Sequence, residues 1–133
     1  MIVSLHVATG AVAGAASKSR LRALVLGPVL HLAGDRVPHE DIRSRRFEIA
    51  SGAACLALVA ATRGLLDPAT LGAAASSAPD LEHVFPLLRP RGRKLFHGGR
   101  GWHRTGGFGA RVQLLLAGAI VGAVVAARGG RHG

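Results

Sequence analysis

Tyrosine is absent from this chain, and a single Trp and four Phe make up its aromatic content. A soluble core of this size normally leans on aromatic rings for buried area. The apolar half of the sequence (49%) is instead Ala, Leu and Val, with 19 Gly. Small residues let helix backbones approach closely, which is how helices pack when lipid surrounds them. Cysteine is nearly absent too. The lone Cys55 excludes an internal disulfide and any Cys-pair metal site, and in its Ala-rich stretch it reads as a small buried apolar residue. No basic residue precedes Lys18. The charged start of a signal peptide is therefore missing, and the first apolar segment is expected to stay in the mature protein.

Acidic residues are scarce, seven against seventeen Lys and Arg, for a net charge of +10. Such a charge can indicate nucleic acid. Here the basic residues lie between apolar stretches, at Lys18 to Arg22, Arg36 to Arg46, Arg63, Arg89 to Arg111 and Arg128 to Arg131. Aromatics interleaved with them for base stacking are missing, so no nucleic-acid partner is expected. Charges at the ends of hydrophobic segments instead orient a membrane protein and snorkel to its interface.

Long apolar runs are lacking as well. Five segments can be drawn, Ile2–Ser17, Ala23–Gly34, Phe47–Thr62, Ala69–Pro79 extending toward Phe85, and Val112–Ala127. None reaches the ~20 residues of a standard span, but each can lengthen by a turn into its basic flanks. The expectation is all-α: a small polytopic membrane bundle of four to five helices in one domain over residues 1–128. A basic, Gly-rich loop at 89–109 and a flexible tail at 129–133 complete it. Asp67-Pro68 reads as an N-cap with Pro in the first helical position. Ser77-Ala78-Pro79 marks a break, and Pro38 ends the second helix near Asp35. Gly10-x-x-x-Gly14 and Gly118-x-x-x-Gly122 suggest close packing against neighbours or a second copy, a homo-oligomer.

With five spans, the second and fourth loops share a side with the N-terminus. They carry eleven Lys and Arg against six on the other side. The positive-inside rule then gives a multi-pass inner-membrane protein with these loops in the cytoplasm. The same parity gathers the polar residues. His6 lies early in the first helix, and His31 and Asp35 late in the second, with His39 and Asp41 just beyond. Asp80 and His83 end the fourth helix, and His97 and His103 follow in the loop. All fall on one face of the membrane, and only His132 does not.

Spacing sharpens this. His31 and Asp35 are four apart and Asp80 and His83 three apart, so each pair projects from one helix face. Two helices each offering a His and a carboxylate match metal sites built inside bundles. Imidazole with carboxylate suits a divalent metal, zinc or manganese first and iron as a third choice. The ligand candidates are His6, His31, Asp35, His39, Asp80 and His83, with Asp41 or Glu82 available to orient the histidines. Pro28, lacking its N–H, could open the helix beside His31. Glu48 lies outside the cluster. The bland alternative is that His and Asp at helix ends meet water and headgroups, but ionisable residues at membrane depth are a functional hypothesis by default.

At these residues the chain resembles the inner-membrane-associated, metal-dependent hydrolases of bacteria and archaea. That family has an early helix with a His, a Ser-His-x-x-x-Asp-like segment followed by Pro, a Leu-Pro-Asp-x-Asp-His-like segment and a His-Arg-Gly-x-Thr-His loop. His6 is similar to the first. Leu30 to Asp35, with Pro38 and His39, looks like the second, Ala78 to His83 like the third, and His97 through Thr105 like the last. Two departures stand out. The His31 motif precedes the Asp80 motif, and His103-Arg104-Thr105 lacks the second His of the loop. The resemblance implies a membrane-embedded hydrolase acting on a phosphoester or lipid-like substrate through metal-activated water. His97 and His103 would be further ligands or catalytic acid/base groups, and Arg100 and Arg104 would steady an anionic, phosphate-containing substrate. The rival is a non-catalytic scaffold or anionic-lipid binder, whose loops hold headgroups at about 1 kcal/mol per basic residue. A transporter ranks third.

Overall fold

The computed structural model describes residues 1–97 and 106–129. Among them there is no strand, only an isolated bridge between His39 and Phe108. Five longer helices follow the apolar segments: α1 (Val3–Ser17), α2 (Arg20–Asp35), α3 (Arg45–Arg63), α4 (Pro68–Ser77) and α6 (Ala110–Gly129), with a one-turn α5 (Leu81–Val84) after α4. Local chemistry sets the starts. The Ser19 hydroxyl accepts from Arg22 N–H, Ser44 from Phe47 N–H, and the Asp67 carboxylate from Ala69 N–H at 2.8 Å with Pro68 next to it. Each satisfies a donor that the first helical turn leaves open. Pro79 breaks α4 into a 3₁₀ turn over Ala78–Asp80, so the fourth segment does not run on to Phe85 as one helix. α2 ends at Asp35, and it continues through Pro28 without interruption.

α1 is the hub. It carries no charge, and residues all round it are buried, including Leu5, His6, Val7, Gly10 and Gly14. A helix apolar on every side belongs in the interior, and α2, α3, α4 and α6 surround it. The first small-residue motif makes the closest crossing. A methyl added at Gly10 would sit 2.3 Å from the Gly72 carbonyl oxygen, and one at Gly14 2.0 Å from that of Pro68. The second motif differs. Gly118 and Gly122 have nothing within 4 Å of such a methyl, so among the described residues that motif packs against nothing. Cys55 is half-buried against the core.

The outer faces are apolar. Leu21 (73% exposed), Val25 (59%) and Val29 (57%) line α2, and Leu115 (75%) stands out from α6. Within α6, Ala110–Ala127 is long and apolar enough to cross a membrane, and only 22% of it is buried. α1 is apolar but shorter.

The two hydrophilic loops meet at one end of the bundle. Glu40 N–H donates to the Phe108 carbonyl, Phe108 N–H to that of Pro38, and Gly106 N–H to that of His39, all at 2.9–3.1 Å. Gln113, buried in α6, locks this end. Its side-chain oxygen accepts from Ile2 N–H, and its nitrogen donates to the Glu40 and Phe108 carbonyls. The start of α1, the end of α2 and the end of α4 are thereby gathered around one polar centre.

Candidate metal centre

Asp35, buried at the last turn of α2, organises the centre. Its Oδ1 accepts from the Met1 nitrogen at 2.6 Å and from His6 Nε2 at 3.0 Å. Its Oδ2 faces His31 Nε2 at 3.2 Å and His97 Nε2 at 3.1 Å, and those two nitrogens are 3.1 Å apart. Asp80 Oδ1 stands further off, 3.8 Å from His31 Nε2 and 3.7 Å from His97 Nε2.

The other ring nitrogens settle where the protons are. His31 Nδ1 lies 2.8 Å from the Ser76 carbonyl, which can only accept, so this nitrogen carries the hydrogen. His97 Nδ1 likewise donates to Glu82 Oε1 at 2.6 Å. In their neutral forms both imidazoles therefore turn a bare Nε2 lone pair toward Asp35 Oδ2 and toward each other. Three acceptors within 3.2 Å repel unless a cation, a proton or a metal ion, lies among them. Ligands bound at about 2.0–2.2 Å stand about 3.3–3.6 Å apart on a tetrahedron and about 2.8–3.1 Å at right angles. The observed edges fall between those limits, so the residues fit a divalent ion.

The surroundings reinforce this. Three groups bring ligand atoms within 4.8 Å of one another: His6, His31 and Asp80; His31, Asp35 and His97; and Asp80, His83 and His97. Among the described residues His6 Nδ1 and Asp80 Oδ2 are buried with no hydrogen-bond partner, a costly state for polar atoms away from water. The His6 and His31 rings stack at 3.8 Å.

Glu82 holds the loop that delivers His97. Besides His97 Nδ1, its buried carboxylate accepts from the backbone N–H groups of Leu95, Phe96 and His97 at 2.7–3.2 Å. Burial works against its charge, yet these bonds hold the carboxyl down at about 2. On His97 burial also opposes charge, but hydrogen bonds to Asp35 and Glu82 raise its pKa above the ordinary value. Burial pushes the Asp80 carboxyl up to about 6. Burial, then the nearby His97 and Lys94 charges, lower His83 to about 4, so its imidazole is neutral and competent as a ligand.

A cavity of mixed polar and apolar lining, about 270 Å³, opens beside the centre, with Asp35, Arg45, Glu48, Asp80, His83 and His97 on its walls. Arg45, from the first turn of α3, also donates to the His83 carbonyl at 2.8 Å.

The structure thus brings together His6, His31, Asp35, Asp80, His83 and His97. His97, read from sequence as a further ligand or an acid/base group, stands among the ligand atoms. His39 is in none of the three groups. Its Nδ1 donates to the Val37 carbonyl, and its Nε2 faces the Met1 nitrogen and Asp41, which sets it beyond Asp35 from the centre. Glu48, placed outside the cluster by sequence, lines the cavity. Arg100, His103, Arg104 and His132 lie outside the described residues. Sequence reading missed Arg45, whose charge looked like one of many at a helix end, and Gln113, whose only signal was a lone amide in an apolar run.

No protein-family model, curated protein or solved structure matches this chain.

Proposed function

We propose that this protein is a membrane-embedded, metal-dependent hydrolase of phosphoesters, with His31, His97 and Asp35 holding one divalent ion, zinc or manganese first. One observation carries the reading: three converging atoms 3.1–3.2 Å apart, a carboxylate oxygen and two imidazole nitrogens that are bare in the neutral rings because the hydrogen sits on the far-side nitrogen. The chemistry such an ion supplies is activation of water as a nucleophile near neutral pH. Asp80, its Oδ2 unpartnered and set back from the triangle, is placed to take the proton that water gives up. Arg45 on the cavity wall fits a phosphate oxygen. In the reaction the water oxygen bonds to phosphorus, the ester P–O bond breaks, and the alcohol leaves with a proton. Asp35 and Glu82 hold the imidazoles in register throughout.

We read several spans, on the apolar exposed faces of α2 and α6, and place the polar end toward the cytoplasm on the eleven-to-six bias of Lys and Arg. Hydrolysis of bis(4-nitrophenyl) phosphate by detergent-purified protein tests the activity. Turnover should depend on added Zn²⁺ or Mn²⁺ and fall about 100-fold or more in Asp35→Asn, in keeping with loss of the activated water. Metal-independent turnover, or turnover unchanged in that variant, contradicts the proposal.

A further inference from the structure

Beside the cavity at the centre lies a second one of about 180 Å³, lined almost wholly by carbon, with Val3, Val7, Gly52, Leu56 and Leu81 among its walls. The two are continuous in their lining, for Ile49, Asp80 and Val84 border both. Asp80 stands at the junction with its carboxylate on the metal-binding side. The rim is apolar and faces outward, since Ile49, Leu81 and Val84 are each more than 40% exposed. One path therefore leads from the outer surface of the bundle, between α3 and the α4–α5 break, to the ligand triangle.

We infer that the substrate is a lipid phosphoester taken from the surrounding bilayer, its phosphate at the His31–Asp35–His97 triangle and its chain along the groove past Ile49 and Val84 toward Leu56. The inference rests on the hydrolase reading and adds the substrate class to it. Its parts complement each other. Arg45 and the metal site are cationic where an ester phosphate would lie, and the adjoining cavity offers carbon where its chain would lie. A free sugar phosphate would leave the carbon-lined half unfilled. A nucleotide would find no Phe, Tyr or Trp among the residues lining either cavity on which to stack its base, and the His83 and His97 rings already pack against each other. Gly52 keeps the groove against α1 narrow and smooth, for a methyl there would meet Val3 Cγ1 at 2.5 Å.

A photoreactive probe tests this without relying on turnover. Dodecyl phosphate carrying a diazirine midway along its chain is irradiated with Zn²⁺-loaded protein in maltoside detergent, and adducts are located by mass spectrometry. Adducts should concentrate on residues 49–56 and 77–84. Excess inorganic phosphate or removal of Zn²⁺ by a chelator should each reduce them about tenfold, the loss of at least 1.4 kcal/mol of head-group binding. Leu56→Trp, and separately Ala53→Phe, should reduce groove adducts while leaving bound zinc unchanged, which shows that each variant is folded. Adducts scattered over α2 and α6 would overturn the inference, and so would groove adducts indifferent to phosphate and chelator. Either result in protein that still binds zinc leaves the metal centre standing. Absence of zinc binding by the wild type would be the separate failure of the hydrolase reading.

Discussion

At the scale of single residues, the centre depends on side chains that fix other side chains. Glu82 spends four hydrogen bonds on the His97 segment. Glu82→Gln should therefore leave the helices intact but weaken Zn²⁺ binding about 10–100-fold, as loss of such outer partners generally does; titration against a fluorescent zinc chelator measures it. Protons compete with metal at the same atoms, which gives a sign to the pH dependence. In the metal-free protein, His97 is raised above 6.5 and Asp80 from 3.8 to about 6. Both contribute stability at low pH that is lost as pH rises through their folded values. Glu82, lowered from 4.5 to about 2, contributes stability above 4.5 that is lost as pH falls toward 2. His83 works the other way: lowered from 6.5 to about 4, it contributes stability above 6.5 that is lost as pH falls toward 4, so the sign set by the metal ligands is read from the Zn²⁺-induced change in Tm rather than from the metal-free protein alone. The Zn²⁺-induced rise in Tm should be large at pH 8 and small at pH 5.5; the opposite order would contradict the assignment. The His31/Asp35 and Asp80/His83 pairs were legible in the sequence because helical spacing alone puts each pair on one face. His97 was legible only as a candidate for either of two roles, further ligand or acid/base group, because its place among the ligands depends on backbone bonds to Glu82 that no periodicity encodes.

At the scale of elements, the helices were largely readable, with Asp67-Pro68 and Pro79 marking ends locally, while the Ser19 and Ser44 caps, equally local, went unread. What sequence left open was which glycine motif makes a contact. Gly10 and Gly118 stand in similar patterns, yet only the first faces another helix backbone. Gly10→Ala should cost about 1–3 kcal/mol through overpacking at the α1–α4 crossing. Gly118→Ala and Gly122→Ala should be neutral or stabilise α6 by up to about 1 kcal/mol each, from helix propensity. Thermal unfolding in detergent reads both. A Gly118→Ala protein as destabilised as Gly10→Ala would show that α6 packs on a partner, such as a second copy.

At the scale of the whole molecule, the counting of segments that placed loops two and four together agrees with the direct bonds between residues 38–40 and 106–108. Among the described helices α6 alone is long and apolar enough to cross a membrane; under the proposed reading α1 and α4, which fall short of a full span, would be screened by their neighbours. In a Cys55→Ala background, cysteines at Ser44 and Leu87 should be labelled from the same side of the membrane, and one at Leu65, at the far end of α3, from the other. Opposite labelling of Ser44 and Leu87 would break the topology.

The account turns on the triangle of His31, Asp35 and His97, and metal content of the purified protein tests it most directly. Wild type exposed to Zn²⁺ and then desalted should retain about one ion per chain. Asp35→Asn, of equal volume but without the charge, should retain almost none while keeping its helical circular dichroism. Asp67→Asn, at the opposite end of the bundle and still able to cap α4, should retain as much as wild type. A wild type that holds no metal, or an Asp35→Asn protein that holds as much as wild type, would contradict the central claim.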